Sequence, residues 1–375
     1  MTTKYSLCVL FFCLTVTTSA FCQNNPEMEA DPYTGSKRCL LCHRSHRDSF
    51  ANHGHSQILR PLPDGQKPAN VKIELPAGLT WQQITHLVGA KDYVRFLDQT
   101  GYVVTGNDAQ WSFFGQRLTP FKKDIPRGKL AYTCIKCHSV GWKESGTYQK
   151  GVKNDLPGIP GVWFENSVGC EACHGAGYEH YKLNNKKTLK KEGQDLKIKI
   201  DTSISLCGSC HNRNQDLSLN IVAGDLIQSR QQYTELMRSV KGKKEMTCLS
   251  CHDPHHSSSS SAGFVKSCTD CHSEIKMKIE SMSNVACIDC HMPFAVRGAY
   301  DITIKNYHRG DSRSHLFSIN TDPNYALTEM AKKKQTDTDE VTRLTVEMAC
   351  YSCHQSGEAN DIELQKLIST SADIH

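Results

Sequence analysis

The chain has 375 residues, 38% of them hydrophobic and 22% charged, with a formal net charge of +5. It is longer than a usual single domain, and so ordinary a balance excludes a wholly disordered or membrane-spanning protein. The abnormal feature is 19 cysteines beside 18 histidines, in a chain far too long to be a small disulfide-stapled scaffold.

In chain order, Lys4 supplies a weak charged region, Leu7 to Val16 an apolar core and Thr18, Ser19 and Ala20 a small-residue cleavage site. This is the pattern of a secretory signal peptide over residues 1–22, so the mature protein is expected in the periplasm or outside the cell. Two alternatives stand beside it. A spanning anchor would need ~20 apolar residues, more than this run offers. A lipid anchor on Cys22 has an unfavourable neighbour in Phe21.

Sixteen cysteines then fall into eight copies of Cys-x-x-Cys-His. They are Cys39/Cys42/His43, Cys134/Cys137/His138, Cys170/Cys173/His174, Cys207/Cys210/His211, Cys248/Cys251/His252, Cys268/Cys271/His272, Cys287/Cys290/His291 and Cys350/Cys353/His354. The other three, Cys8, Cys13 and Cys22, lie in the signal region.

The spacing of the copies is uneven. Residues 56–133 carry none, and strand and turn signals occur there at Val71 to Leu75, Leu79 to Trp81 and Tyr102 to Val104, broken by Pro61, Pro63, Gly65 and Gly101. A small β-containing cap is expected beside the first copy, within an N-terminal region 23–133. From Cys134 to His291 six copies occupy 158 residues, too little chain to bury a separate apolar core around each. A dense region 134–320 follows from this, then a C-terminal region 321–375 with the last copy. Leu226, Tyr233, Leu236, Met237 and Val240 fall near helical spacing, as do Val341, Leu344 and Met348. The lysine-rich runs at 186–199 and 332–334 read as solvated faces, with a docking patch for an acidic partner as the alternative.

Cys-x-x-Cys-His is the signature of covalent haem c attachment. Two thiols on one turn add to the two vinyl groups of a porphyrin, and the next imidazole reaches the iron. Structural zinc also uses Cys-x-x-Cys pairs but does not need histidine directly after each. A thioredoxin-like pair normally occurs once, in a βαβ setting. Eight haem c groups are therefore expected, held by the sixteen cysteines, with His43, His138, His174, His211, His252, His272, His291 and His354 as proximal ligands. The haem faces then serve as core, and the fold class expected is a multihaem cytochrome c, mainly α-helical and irregular with little β-structure. Sixteen propionates against eight ferric centres bring the holoprotein to roughly −4 once Lys4 is removed. A nucleic-acid partner loses its electrostatic support.

Ten histidines remain as candidate distal ligands: His46, His53, His55, His86, His180, His255, His256, His308, His315 and His375. His180 follows the third copy by six residues and His255 follows the fifth by three. Each is too near its own proximal histidine to reach the opposite face of the same iron, so ligation of a neighbouring haem is expected. His55, His308 and His315 are further candidates, with His86 and His46 behind them. His375 is expected to be free. Bis-histidine ligation closes the iron and gives low-potential electron transfer, whereas an enzyme needs one haem kept open.

The runs Phe50 to His55, Trp81 to Gly89, Val168 to Gly175, Cys248 to His255 and Cys287 to Pro293 resemble multihaem cytochromes of the cytochrome c-552/c-554 class. The likeness extends from about residue 37 to 320. It implies His55, His180, His255 and His315 as distal ligands and haems stacked in alternating parallel and perpendicular pairs. Members of this class often place Ser-x-His shortly before the fifth motif, where this chain has Ser239, Val240 and Lys241. That leaves one haem with a lysine, a methionine such as Met237, or no distal ligand.

The function expected is an exported electron carrier working between redox partner proteins, a membrane or periplasmic donor and a terminal acceptor, with no catalytic residue of its own. A catalytic octahaem oxidoreductase of the hydroxylamine, nitrite or tetrathionate type is the alternative. Against it, no Cys-x-x-Cys-Lys occurs and the chain is short for that class. A third reading is a homo-oligomeric, haem-lined filament.

Overall fold

Where the sequence carries no motif, the chain buries itself. The computed structural model describes residues 31–69, 72–185, 197–213, 226–299, 302–304, 307–322, 342–354 and 362–375. The signal region, Cys22, residues 186–196 of the first lysine run and the whole of the second lie outside these residues.

Between the first and second motifs five strands form an antiparallel meander: β1 (Leu59–Pro61), β2 (Ile84–Val88), β3 (Tyr93–Asp98), β4 (Gly106–Ser112) and β5 (Arg117–Phe121). Leu87 pairs with Phe96 and Val94 with Trp111. Leu87, Val94, Phe96 and Trp111 pack on one side with Ile73 and Ile84. Val88 and Leu97 turn to the other side, against Tyr132, Ile135, Ile159 and Trp163. A sheet covered on both faces has no clean alternation to read. The β2–β3 turn depends on Gly89, whose φ is +98° and where a Cβ would stand 2.3 Å from the Tyr93 carbonyl oxygen.

This sheet corrects the expectation of little β-structure. A stretch of more than sixty residues without a motif is long enough to fill its own apolar core, so it need not borrow porphyrin faces. The segments singled out in the sequence are not the strands. Residues 72–75 and 79–80 are irregular or turn, Trp81 opens a 3₁₀ turn, and Val103 makes an isolated bridge to Leu97.

A further apolar cluster joins Ile227, Ala295, Val296, Leu316, Leu344, Val346, Met348, Tyr351 and Leu367. Among the described residues, Ile227 is the sole buried member that residues 170–291, which hold the third to seventh motifs, give to any of the three clusters. Large apolar side chains in or beside the motifs stand uncovered by polypeptide instead: Leu41, Val265, Ile275 and Ile288 are 59%, 52%, 51% and 36% exposed. No helix among the described residues is long and apolar enough to cross a membrane.

Candidate metal centres

Every motif sits on a single helical turn. Five lie on α-helices (Ser36–Cys42, Cys170–His174, Ile204–Gly208, Cys287–His291 and Val346–Cys350), and three on 3₁₀ turns (Thr133–Lys136, Cys248–Ser250 and Cys268–Asp270). The amides of His43, His138, His211, His252, His272 and His354 donate to the carbonyl of the first motif cysteine at 2.8–3.0 Å. One turn therefore stacks the histidine over the first thiol, because residues four apart share a helix face. Thr247 and Ser267 fix two of these turns as capping boxes with Ser250 and Asp270.

The rings of the motif histidines meet second imidazoles. His43 faces His180 at 6.3 Å between centroids, His211 faces His55 at 5.9 Å and His174 faces His255 at 6.1 Å. His252 faces His315 at 6.3 Å and His291 faces His375 at 5.9 Å. Two imidazole nitrogens about 2.0 Å from one metal, each roughly 1.1 Å ahead of its ring centre, put the centroids about 6.2 Å apart. All five pairs match that separation. The pairs His46–His255 and His53–His55, at 4.6 Å, are too close to enclose a metal.

The nitrogens are oriented accordingly. Nδ1 of His174 lies 2.9 Å from the Lys199 carbonyl and Nδ1 of His291 lies 3.1 Å from that of Phe317, which leaves Nε2 to point inward. Burial pushes His55 down to about 3 and both His138 and His315 to about 4. These imidazoles stay neutral at physiological pH, the state that offers a lone pair to a metal. Among the described residues no three His, Cys, Asp or Glu side chains converge as a bare ion would require. The sixteen motif thiols are not in disulfides. Paired imidazoles, free thiols on the same turn and uncovered apolar side chains fit a porphyrin and do not fit a zinc site.

Sulfur neighbours tie the motifs together. Cys39 lies within hydrogen-bond reach of Cys170, Cys137 of Cys210, Cys207 of Cys248 and Cys268 of Cys287. Cys173 is an electrostatic neighbour of Cys207, Cys251 of Cys271 and Cys290 of Cys353. The motifs thus run first, third, fourth, fifth, sixth, seventh, eighth, with the second beside the fourth. The buried Glu171 of the third motif accepts from the amides of Thr34 and Gly35 at 2.8–3.1 Å and of Gly177 at 2.7 Å, which pins the helix of the first motif to the third.

Of the distal candidates, His55, His180, His255 and His315 are each brought to a histidine of another motif. His375, expected to be free, is instead brought to His291. His86 lies buried in β2 with Nδ1 lacking a partner, and among the described residues no motif imidazole packs on it. His308 lies on the strand Tyr307–Arg309, and its side chain is outside the described residues.

His138 of the second motif is different. Its ring contact among the described residues is with Tyr132, whose hydroxyl lies 2.5 Å from Nδ1. The charges of Arg230 and Arg95 act on it from nearby. Arg95 is held by Gln110 at 2.8 Å and lies over the rings of Tyr93 and Phe121. Sequence reasoning passed over these groups, because a lone Arg or Tyr is ordinarily a packing residue. The available signal was a guanidinium inside the apolar run Val94, Arg95, Phe96, Leu97.

Residues 119–175 match the family model "Cytochrome c554 and c-prime". The chain is 28% identical to the dissimilatory sulfite reductase MccA of Wolinella succinogenes over 80% of its own length and 57% of the relative's. It is 25% identical to cytochrome c-554 of Nitrosomonas europaea, over 48% of this chain and 57% of that one. It therefore spans little more than half the length of these relatives. In three dimensions it shares its fold with the outer cell wall cytochrome OcwA, at a TM-score of 0.54 and 17% identity, over 90% of this chain and 86% of the other.

Proposed function

The chain is a multihaem c-type cytochrome of the cytochrome c-554 class, and from that premise we propose an exported electron-transfer protein that carries one haem c on each of its eight motifs. His43, His138, His174, His211, His252, His272, His291 and His354 are the proximal ligands. His180, His55, His255, His315 and His375 close the first, fourth, third, fifth and seventh haems from the far side. The observation that carries this reading is the set of five imidazole pairs at 5.9–6.3 Å. Closed iron exchanges electrons without binding substrate. Electrons pass along the sulfur-neighbour order, entering from one redox partner protein and leaving to another. Paramagnetic resonance of the oxidised protein tests it: dominant low-spin iron, unaltered by nitrite, hydroxylamine or sulfite, is expected, and mainly high-spin iron contradicts it.

One observation favours a second, catalytic reading. Among the described residues no second imidazole ring packs on His138, whose Tyr132 contact lies on Nδ1 away from the metal side, and the arginine charges near it suit a small oxyanion. MccA, by its name, acts on such an anion. In this reading Arg95 and Arg230 hold the anion at an open second haem, and the other haems deliver electrons. A single high-spin haem whose spectrum shifts with sulfite or nitrite supports it, and a wholly low-spin protein excludes it.

A further inference from the structure

The sixth motif has its own arrangement. Nε2 of His272 lies 3.2 Å from Nζ of Lys241, a residue more than thirty positions earlier. Nε2 is the nitrogen a motif histidine offers to iron, and the group facing it here is an amine.

The backbone sets Lys241 in place. The helix Gln232–Arg238 ends at Ser239, whose amide donates to the carbonyls of Glu235 and Leu236 and whose hydroxyl donates to that of Leu236 at 2.7 Å. The amide of Gly242 donates back to Ser239 Oγ at 3.2 Å, and a Cβ on Gly242 would stand 2.1 Å from the Leu236 carbonyl oxygen. Lys241 is clamped between these two residues, and its carbonyl accepts from the amides of Lys244 and Met246. The amine also lies 5.4 Å over the ring of Phe317, whose carbonyl orients His291 of the seventh motif. Among the described residues no carboxylate pairs with it.

We propose that Lys241 is the distal ligand of the sixth haem, closing its iron opposite His272. This rests on the haem c reading above and deepens it. Two nitrogens about 2.0 Å from one metal stand about 4 Å apart when opposite one another, and a four-carbon stem spans the difference from 3.2 Å. On ligation the ammonium gives one proton to solvent, its lone pair forms the Fe–N bond, and no electron is transferred. The sixth haem lies between the fifth and seventh, since Cys251 and Cys287 are both neighbours of Cys268. An amine there closes a link that no imidazole among the described residues reaches.

The test compares Lys241→Arg and Lys241→His holoproteins, oxidised, by paramagnetic resonance and near-infrared magnetic circular dichroism. Arginine keeps the charge and cannot lose its proton to bind iron. The Arg variant gains high-spin iron equal to one haem in eight over the parent, while the His variant gains none and exchanges an amine–imidazole band for a bis-imidazole one. An Arg variant with the parent's spectrum overturns the assignment and makes Lys241 a charge partner only. If the variants do not fold, the parent decides: an amine–imidazole band supports the assignment and its absence overturns it. A parent with no covalent haem overturns the haem reading itself, which haem analysis distinguishes from either outcome.

Discussion

The ring of His375 stands 5.9 Å from that of His291, with their planes 17° apart. Backbone and side chain hold it there. The amide of Lys278 donates to the Ile374 carbonyl at 2.9 Å, and Lys278 pairs with Asp373. The preceding helix Leu364–Ser371 is anchored by the buried Leu367. His375→Ala is therefore expected to open the seventh haem, adding high-spin iron equal to one haem in eight while all eight remain bound. Low-spin iron unchanged by the substitution, in a spin-quantified spectrum, refutes the pairing.

Glu171 stitches the first motif to the third through the backbone amides of Thr34 and Gly35, and also accepts from that of Gly177 beside its own motif. Glu171→Ala leaves those donors without their acceptor, at a cost of about 3 kcal/mol. Denaturation midpoints are expected to fall accordingly, and limited proteolysis to begin near residues 31–36. A midpoint within experimental scatter of the parent's removes Glu171 from this role.

His86 is held neutral in the sheet, pushed down to about 4 by burial. The unfolded chain takes up the proton near 6.5, so the folded state loses stability as pH falls from about 6.5 through about 4, by about 3 kcal/mol in all. His86→Leu is expected to flatten this part of the pH–stability curve and to keep the parent's haem content. A variant as acid-sensitive as the parent contradicts the burial argument, and a gain of high-spin iron equal to one haem in eight would make His86 a ligand after all.

The hydroxyl of Tyr132 lies against Nδ1 of His138, the nitrogen that carries the proton and donates to it when Nε2 holds iron. An acceptor there makes the imidazole a stronger donor to metal and lowers the potential. Tyr132→Phe is expected to raise one potential of the eight in a spectroelectrochemical titration and leave the others in place. A titration curve superimposable on the parent's argues against the contact.

Legibility followed range along the chain. The motifs are contiguous, so their chemistry was readable at once, and the proximity of His180 and His255 to their own motifs pointed them elsewhere. Which motif each one meets is a property of topology: His180 crosses to His43 because Glu171 and Glu165 hold the helix at Ser36. His375 gave no local cue, since its partner lies 84 positions away and what binds it is a backbone contact at Lys278. The sheet was hidden for another reason. Its strands carry Arg95, Asp98, Asn107 and Asp108 and are broken by bulges, so the apolar–charged alternation at 71–75 gives a cleaner strand signal than the strands themselves. At Lys241 the residues alone leave lysine, methionine or an open face, and the proposal for lysine rests on the 3.2 Å approach to His272.

On this reading each of the eight motifs binds a porphyrin, and those on the third to seventh, rather than aliphatic packing, form the core between residues 170 and 291. Pyridine haemochrome analysis of the purified protein against its polypeptide concentration, with intact mass under denaturing conditions, tests it most directly. Eight covalently retained haems per chain are predicted, and a folded chain whose mass is that of bare polypeptide would contradict the account.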